Sequence, residues 1–346
     1  MKILIVAESH FKEYGGPYTA ITQEIEYLNS RKISNKLIFE KTNHFKYKLD
    51  LAYIINDYDL VHIYGIWRPF LIRVYYIAKK LKKKIIISPF GALEPWALSQ
   101  KKLKKKIAWQ LYQKKILNNV DALHATSDIE AENIRNNGIS SKIEVIGHGL
   151  PIDYNFTPKL KFNEKKKILF FSRIHNKKGL LELISIWKNL KNKLNWELHI
   201  YGPISDQYFF KQTMLDIKKF KLENCIFYLG SIFELDKKKK IFIEADGFIL
   251  PSKSENFGIS IGEALSYGLP VLTTFETPWK IINSYNAGYV FNFTKQDIQS
   301  NVDKFMELSD EERYTMGLNA LKLIKENFDS QKIFRLYENL YKKVLS

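Results

Sequence analysis

Short apolar runs alternate with segments of helical period along almost the whole chain of 346 residues. A polar stretch at 151–167 interrupts the alternation once. Before it, the strand-like runs are KILIVA (2–7), KLIF (36–39), LVHIY (60–64), KIIIS (84–88), ALHATS (122–127) and IEVI (143–146). After it, they are KILFFS (167–172), WELHIYG (196–202), CIFYLG (225–230), GFILPS (247–252) and PVLTT (270–274). Because strands that alternate with helices form parallel βαβ units, the pattern predicts an α/β chain of two Rossmann-like, doubly wound parallel-sheet domains.

The polar stretch marks the division between these domains. It predicts an N-terminal domain over residues 1–155 and a C-terminal domain over residues 156–326. Ligands of doubly wound sheets bind beyond the carboxyl ends of the strands. In a chain with two such domains, we expect the ligand in the cleft between them.

Lysine dominates the charge of the chain, which carries a formal net charge of +17. Much of this excess lies in two runs, at 79–84 and at 101–115. In the second run Leu103, Ile107 and Leu111 recur at helical spacing beside Trp109 and Tyr112, a pattern typical of helices at an anionic membrane surface. A solvated surface helix is the alternative. Nucleic acid is not expected as a partner, because no helix-turn-helix, zinc-finger or RNA-motif pattern accompanies the charge.

Other composition features narrow the class further. The single cysteine, Cys225, permits neither a disulfide framework nor a thiolate metal site, which fits a reducing compartment. The apolar N-terminal run is too short for a signal peptide, and no run reaches the length of a membrane span. The first turn, AESHFKEYGGPY (7–18), lacks the G-x-G-x-x-G of dinucleotide binding. Its Gly15 and Gly16 precede a helix, where they would admit an anionic ligand or form an ordinary turn.

The stretch SENFGISIGEA (254–264) carries most of the chemical information. Glu255 and Asn256 follow an apolar strand, Phe257 and Gly258 begin a helix, and Glu263 lies within that helix. Carboxylates accept hydrogen bonds from hydroxyl groups, and the free N–H groups of a helix start, including that of Gly258, bind phosphate. The arrangement suits a ligand with hydroxyls at both ends and phosphate in the middle, as in a nucleotide sugar.

The context of these glutamates, ILPSxSENFGxxxxEALxxGLPV (249–271), resembles the signature of glycosyltransferase family 4, retaining enzymes of the GT-B fold. The segment FSRIHNKKGLLELI (171–184) is similar to the family's strand-loop-helix segment, and Gly15-Gly16-Pro17 to its N-terminal glycine loop. Four further segments resemble a bacterial branch that builds cell-surface polysaccharide and lipopolysaccharide: LVHIYGIW (60–67), SPFGALEPWAL (88–98), LHATSDIEAENI (123–134) and Thr277-Pro278-Trp279.

The resemblance implies roles for individual residues. Arg173 and Lys178 would hold the donor diphosphate, Glu263 the ribose and Glu255 the transferred sugar. Glu255, Arg173 and Lys178 would then form the catalytic group. The remaining expected donor contacts are Gly15, Gly16, Asn256, Phe257 and Gly258.

Neither a metal nor a cofactor is expected. The literal D-x-D of Asp57-Tyr58-Asp59 precedes the strand LVHIY, at the end of the sheet away from the expected site. We interpret it as a chance match, and the histidine spacing supports no zinc site.

The acceptor side departs from the family at one position. Phe90 stands where many members have a histidine that contacts the donor sugar or the leaving phosphate. Glu94 and Trp96 are candidates for facing the acceptor. His62 and His124 are further candidates, although both lie within predicted strands, where a core histidine is an equally good interpretation.

Together these patterns predict a retaining hexosyltransferase that needs no metal. It would move a hexose or N-acetylhexosamine from a nucleotide diphosphate sugar, with uridine favoured, to a lipid-linked oligosaccharide. We expect a cytoplasmic protein, peripheral at the inner face of the cytoplasmic membrane, which it would contact through the lysines of 79–84 and 101–115. The final helix, within 327–346, would cross back to the N-terminal domain, as in the GT-B fold. The alternatives are a nucleotide-sugar epimerase or phosphorylase of the same fold, or a non-catalytic basic binder of anionic lipid or polymer.

Overall fold

A computed structural model describes residues 1–8, 16–40, 48–150, 152–158, 160, 164–232 and 234–346. The chain forms two compact units, each described here by itself. The first unit contains Met1–Gly149 and Ser330–Ser346, and the second contains Leu150–Asp329. The chain therefore leaves the first unit once and returns to it with its last residues. Sequence analysis placed the divisions after residues 155 and 326.

A six-stranded parallel sheet forms the centre of the first unit, in the order β2-β1-β3-β4-β5-β6. The strands are β1 (Lys2–Ala7), β2 (Ser34–Phe39), β3 (Leu60–Tyr64), β4 (Lys84–Ser88), β5 (Ala122–Ala125) and β6 (Ile143–Val145). The helices before the chain enters the second unit are α1 (Gly16–Ser30), α2 (Lys48–Asn56), α3 (Pro69–Lys80), α4 (Pro95–Ser99), α5 (Lys102–Ala108), α6 (Lys114–Leu117) and α7 (Asp128–Asn136).

Hydrophobic cores lie on both faces of this sheet, which explains the continuous apolar run of β1. Leu4 and Val6 join one core, and Ile3 and Ile5 join the other. Side chains alternate between the faces of a strand, so a strand covered on both sides needs apolar residues at every position.

The second unit has its own six-stranded parallel sheet, in the order β12-β11-β10-β7-β8-β9. The strands are β7 (Lys166–Phe171), β8 (Trp196–Tyr201), β9 (Ile226–Tyr228), β10 (Gly247–Leu250), β11 (Val271–Thr274) and β12 (Gly288–Phe291). The helices are α8 (Leu180–Trp187), α9 (Gln207–Lys219), α10 (Leu235–Glu244), α11 (Ile259–Ser266), α12 (Ile281–Tyr285), α13 (Lys295–Glu307) and α14 (Asp310–Asn327). The two sheets confirm the predicted fold class.

The last helix, α15 (Ser330–Leu345), packs in the first unit. Its buried apolar stripe joins the core that contains Ile3 and Ile5. The stripe consists of Ile333, Phe334, Tyr337, Leu340, Tyr341 and Val344, spaced as one face of a helix. Among the helices of the described residues, none has both the length and the hydropathy that crossing a bilayer requires.

Candidate functional site

The strand order of the second unit creates a crevice at one place. From β7 the chain proceeds to β8 and β9 on one side, and then returns to β10, β11 and β12 on the other. The loops that follow β7 and β10 therefore diverge from neighbouring strands at their carboxyl ends. In open α/β sheets, ligands bind at such a switch point. Most of the predicted donor residues lie on these two loops, at 172–179 and 251–258.

Glycine and backbone hydrogen bonds hold the two loops against each other. Gly179 has a φ of +71°, and a Cβ atom there would lie 1.9 Å from the carbonyl oxygen of Pro251. The Lys253 N–H donates to the carbonyl of Lys177 at 2.8 Å. The Lys253 side chain donates to Asn176 at 2.8 Å and pairs with Glu182 at 2.9 Å. The closeness of the loops thus requires a glycine at position 179.

A buried ion pair joins the two loops. Lys178 Nζ lies 2.5 Å from Glu255 Oε1, which also accepts a hydrogen bond from Ser252 Oγ at 2.6 Å. Burial alone would raise the pKa of Glu255, but Lys178, Lys177 and the hydrogen bonds outweigh it and lower that pKa. Burial lowers the pKa of Lys178, which the attraction of Glu255 opposes. The two side chains thus lie in a site that excludes most water.

Further cations lie on the loop after β7. Arg173 is half-buried. Burial lowers the pKa of both Lys178 and His175, and the charge of Arg173 lowers both further. His175 is itself structural in part, because its Nδ1 accepts a hydrogen bond from the Lys177 N–H at 3.1 Å. The switch point therefore has a positive potential suited to an anionic ligand.

The loop after β10 leads into α11 through Gly258. Gly258 has a φ of +79°, and a Cβ atom there would lie 3.1 Å from Ile261 Cδ1 and 3.3 Å from Trp279 Nε1. Phe257, a predicted donor contact, has its side chain in the core, where its ring packs 5.2 Å from that of Trp279. Its carbonyl accepts a hydrogen bond from Trp279 Nε1 at 2.5 Å. Any contact of Phe257 with a ligand would therefore come from its backbone, since the aromatic ring is buried.

The other predicted donor residues lie at three places. Glu263 is in α11, where its Oε1 lies 2.6 Å from Lys238 Nζ of α10. Asn256 is half-buried between Glu255 and Phe257. Gly16 begins α1 in the first unit, and Gly15 lies outside the described residues.

His62 and His124 lie inside a buried chain of hydrogen bonds in the first unit. His62 Nδ1 lies 2.7 Å from Tyr341 Oη, and its Nε2 lies 2.7 Å from Ser88 Oγ. Ser88 Oγ in turn lies 2.7 Å from His124 Nδ1, and His124 Nε2 lies 2.8 Å from the Ile146 carbonyl oxygen. Both imidazoles are fully buried, and burial lowers the pKa of His124 to about 4. Of the two sequence interpretations, the structure supports core histidines.

Sequence analysis missed the residue that completes this chain, Glu24 of α1. Its carboxyl group is hydrogen-bonded to the hydroxyls of Tyr64 and Tyr341. From Glu24 through Tyr341, His62, Ser88 and His124 to Ile146 there are five links, to which Tyr341, Ser88 and two neutral imidazoles supply four protons. The Tyr337 hydroxyl also contacts this chain, 3.1 Å from His124 Nε2. Burial raises the pKa of Glu24 to about 7, so the buried carboxyl group holds a proton more tightly than an exposed one does.

The remaining acceptor-side candidates follow β4. Phe90 has a φ of +57° and packs its ring 5.6 Å from that of Tyr64 and 5.2 Å from that of His148. Glu94 is buried just before α4, and Trp96 is half-buried within it. The structure thus groups these three residues along one segment of the first unit.

The literal D-x-D lies where sequence analysis placed it. Asp57-Tyr58-Asp59 directly precedes β3, and an Asp59 carboxylate oxygen accepts a hydrogen bond from the Lys2 N–H at 2.8 Å. It is therefore at the amino end of the strands, opposite to the loops at which ligands bind.

Comparison with known proteins places the two halves of the chain in known families. Residues 16–154 match the family model described as Glycosyltransferase Family 4, and residues 153–323 match the one described as Glycosyl transferases group 1. A protein of Klebsiella pneumoniae, described as an uncharacterized 41.2 kDa protein in the cps region, is 26% identical over 300 residues, which are 80% of this chain and 77% of that protein.

Two solved structures are similar over almost their whole length. Anabaena HepE, crystallised with UDP and glucose, has a TM-score of 0.77 at 17% identity, with 99% of this chain and 100% of that chain covered. Sucrose-phosphate synthase of Thermosynechococcus elongatus has a TM-score of 0.80 at 15% identity, with 99% of each chain covered. At these identities the likeness shows a shared fold.

Proposed function

Because this chain belongs to the glycosyltransferases of family 4, with an N-terminal family 4 part, a C-terminal group 1 part and the GT-B fold, we propose a specific reaction for it. It moves a hexose or N-acetylhexosamine from a nucleotide diphosphate sugar to a lipid-linked oligosaccharide in surface polysaccharide synthesis, with retention of configuration. Uridine diphosphate is the favoured carrier, and the presence of UDP in the Anabaena HepE structure supports this choice.

The observation that carries the proposal is the buried pair of Lys178 and Glu255 at the switch point. Cleavage of the bond between sugar C1 and the diphosphate leaves negative charge on the leaving group. A cation fixed before the reaction stabilises that charge without reorganising, and Lys178 is held in place by Glu255. Arg173 would add a planar fork that binds two phosphate oxygens.

Retention follows if both bonds change on one face of the sugar. The C1–O bond to the diphosphate breaks, and the acceptor oxygen forms its bond to C1 from the same side. The acceptor's hydroxyl proton passes to an oxygen of the leaving phosphate. Neither step requires a metal ion, since Lys178 and Arg173 supply the positive charge.

Glu255 and Glu263 would orient the donor. One carboxylate oxygen of Glu255 pairs with Lys178, and one of Glu263 pairs with Lys238. The second oxygen of each carboxylate can accept a hydrogen bond from a sugar hydroxyl. On this assignment Glu255 faces the transferred sugar and Glu263 the ribose.

Membrane attachment would come from the segment 101–115. Leu103, Ile107 and Leu111 have 72%, 50% and 73% of their surface exposed although all three are apolar. They alternate with lysines, as in helices that lie in an anionic interface. We place the protein at the inner face of the cytoplasmic membrane. The run at 79–84 contributes charge alone, since its Leu81 packs against the core.

A thermal-shift panel tests the donor site. UDP, GDP, ADP, UMP and NAD would be added to the wild type and to the variants Lys178→Ala, Glu263→Ala and Lys240→Ala. Lys240, an exposed lysine of α10, is the control. A ligand at about 100 times its dissociation constant adds about 2.7 kcal/mol of stability. We expect UDP to stabilise the wild type and the control well above UMP, and neither site variant to respond.

Other outcomes would contradict the proposal. Stabilisation by NAD alone would indicate a dehydrogenase or an epimerase, and a panel without any shift would leave the non-catalytic basic binder as the better description. Release of the sugar from the donor as a sugar phosphate, with inorganic phosphate as acceptor and no transfer to a hydroxyl acceptor, would favour a phosphorylase.

A further inference from the structure

A cavity of about 330 Å³ lies in the first unit, among groups to which the donor site gives no role. It opens between the segment after β3 and the helices α4 and α5. Its walls include Trp67, Leu98, Lys102, Lys105, Lys106 and Trp109.

The walls of this cavity combine aromatic rings with cations. The ring centroids of Trp67 and Trp109 are 6.0 Å apart, and Lys105 Nζ lies 5.7 Å from the centroid of Trp67. Lys105 also donates to the carbonyl of Ala97 at 2.6 Å, which holds its ammonium group at the wall. Burial and the nearby Lys101 lower the pKa of Lys105, an unfavourable placement that an anionic ligand would relieve.

The backbone around the cavity is kept in costly conformations. Trp67 has a φ of +73°, in the left-handed region that side chains other than glycine rarely adopt. Lys101, just before α5, has a φ of +52°. Trp109 begins a π-helical turn, Trp109–Gln113, in which buried Gln113 accepts the Trp67 N–H at 3.2 Å. π-helical turns and left-handed residues concentrate at functional sites.

The sheet topology places one wall of the cavity next to the switch point of the first sheet. The order β2-β1-β3 makes β1 and β3 the switch point of the first sheet. Trp67 follows the carboxyl end of β3. The other wall residues named above belong to the segment that follows β4, the neighbour of β3 in the sheet.

We propose that this cavity binds the phosphate-bearing end of the lipid-linked acceptor. Its phosphates contact Lys102, Lys105 and Lys106, and its first sugar packs on the faces of Trp67 and Trp109. Leu103, Ile107 and Leu111 of the same helical segment are exposed and would contact the membrane. The lipid chain of the acceptor can then stay in the membrane while its headgroup enters the cavity. This inference rests on the proposed function, because it assigns a binding site to the acceptor of that reaction.

Binding of a defined probe tests this site apart from the donor site. The probe is citronellyl diphosphate-linked N-acetylglucosamine, a short and soluble prenyl-diphosphate sugar, titrated calorimetrically into the full-length protein with saturating UDP. The test variant is Lys102→Gln with Lys106→Gln. The control is Lys104→Gln with Lys115→Gln, which removes the same charge from exposed lysines that do not line the cavity.

We expect the test variant to bind the probe roughly tenfold more weakly, the effect of losing charged contacts to phosphate. The control should stay within about twofold of the wild type, and UDP should bind all three proteins equally. Inorganic diphosphate should compete only weakly, because it lacks the sugar that packs on tryptophan.

Three results would overturn the inference. Equal weakening in both double variants would show a general effect of charge, and equal competition by inorganic diphosphate would show a phosphate site without sugar recognition. Absence of probe binding in a wild type that binds UDP would refute the acceptor cavity and leave the donor site standing. Failure to bind UDP would instead refute the proposed function.

Discussion

The ion pair of Lys178 and Glu255 combines two roles at the scale of single residues. It ties the loop after β7 to the loop after β10, and it puts charges where the proposed donor binds. Removing one partner of a buried pair typically costs about 3–5 kcal/mol, because the other charge stays buried and unpaired. A single substitution at Lys178 or Glu255 therefore changes the free energy of unfolding and the proposed donor binding together.

Neutralising both partners separates these roles. We expect Lys178→Met to lower the free energy of unfolding by about 3 kcal/mol, and the double variant Lys178→Met/Glu255→Gln to recover most of it, because neutral groups of similar volume can replace a buried pair. UDP binding should stay lost in the double variant, since the diphosphate has lost its cation. Urea unfolding and the UDP thermal shift measure the two effects. A double variant that regains UDP binding would remove Lys178 from the donor site.

The proton held by Glu24 predicts how stability depends on pH. With the pKa raised from 4.5 to about 7, the folded state binds this proton more tightly than the unfolded chain. The contribution of this proton to the free energy of unfolding is fully present below pH 4.5 and is lost as the pH rises through 7. It amounts to about 3 kcal/mol. The lowered pKa of His124 has the opposite effect on the pH dependence. The contribution of neutral His124 to the free energy of unfolding is present above pH 6.5 and is lost as the pH falls towards 4.

Glu24→Gln isolates the carboxyl contribution, because the amide has the size of the neutral acid, keeps an oxygen that accepts hydrogen bonds and does not titrate. We expect the stability of the wild type relative to this variant to fall between about pH 4.5 and pH 7, as followed by urea unfolding at several pH values. Glu26→Gln, an exposed change on the same helix, should retain the wild-type pH profile. A profile in Glu24→Gln that matches the wild type would place the proton elsewhere in the chain.

Local sequence reveals some of these residues and hides others. Glu255, Lys178 and Glu263 lie near strand ends or helix starts, so a pattern of a few residues indicates their position. Glu24 lies on an amphipathic helix, and its partner Tyr341 is near the other end of the chain. A contact between residues so far apart in sequence produces no local periodicity that would indicate it. Phe257 shows the opposite limit, because its position in the motif does not reveal that its side chain is buried in the core.

At the scale of elements, the start of α11 depends on Gly258. Its positive φ and its closeness to Ile261 and Trp279 each resist a side chain. We expect Gly258→Ala to lower stability by about 2 kcal/mol or more and to abolish the UDP thermal shift, because the loop carrying Glu255 must move. Gly230→Ala is a matched control, with a φ of +83° and no atom within 4 Å of the added Cβ. It should cost about 1 kcal/mol and keep the shift. Equal behaviour of both variants would show that strain alone, and no contact, requires the glycine.

The helical segment at 101–115 predicts membrane binding. We expect Leu103→Ser/Ile107→Ser/Leu111→Ser to reduce binding to phosphatidylglycerol vesicles at least tenfold, since interfacial binding scales with buried apolar area. The same change at the exposed Leu194, Leu215 and Leu235 of the second unit should have little effect. Vesicle sedimentation at fixed salt measures both. If the two triple variants bind like the wild type, charge alone accounts for any attachment.

The apolar runs predicted every strand of the described residues except β12, whereas the helices were less well indicated. The helical spacing within 101–115 predicts one continuous helix, whereas the structure has α5, the π-helical turn and α6 there. The interruption depends on the contact between Gln113 and Trp67, which the helical period does not encode. The strand β12 was not predicted, although its run GYVF is as long as the GFIL of β10.

At the scale of the whole molecule, the chain inserts its second unit into its first. Within the first unit Gly149 and Ser330 are adjacent, since a Cβ on Gly149 would lie 2.8 Å from Ser330 Cα. Within the second unit the Leu150 N–H donates to the Phe328 carbonyl at 2.8 Å. Both units therefore have their cut ends side by side, a geometry that tolerates separation and rejoining.

Dissecting the chain tests how far each unit specifies itself. We expect residues 150–329 alone to fold and to bind UDP, because Arg173, Lys178, Glu255 and Glu263 all lie within them. Residues 1–149 alone should not fold cooperatively, since the core beneath α15 would be exposed and Glu24 would lose Tyr341. Joining residue 149 to residue 330 through a short glycine-serine linker should restore cooperative unfolding without UDP binding. Circular dichroism melts and UDP calorimetry on the three proteins measure this. Cooperative folding of residues 1–149 by themselves would show that the first unit does not need α15. UDP binding by the joined first unit would show that the donor site does not lie in the second unit.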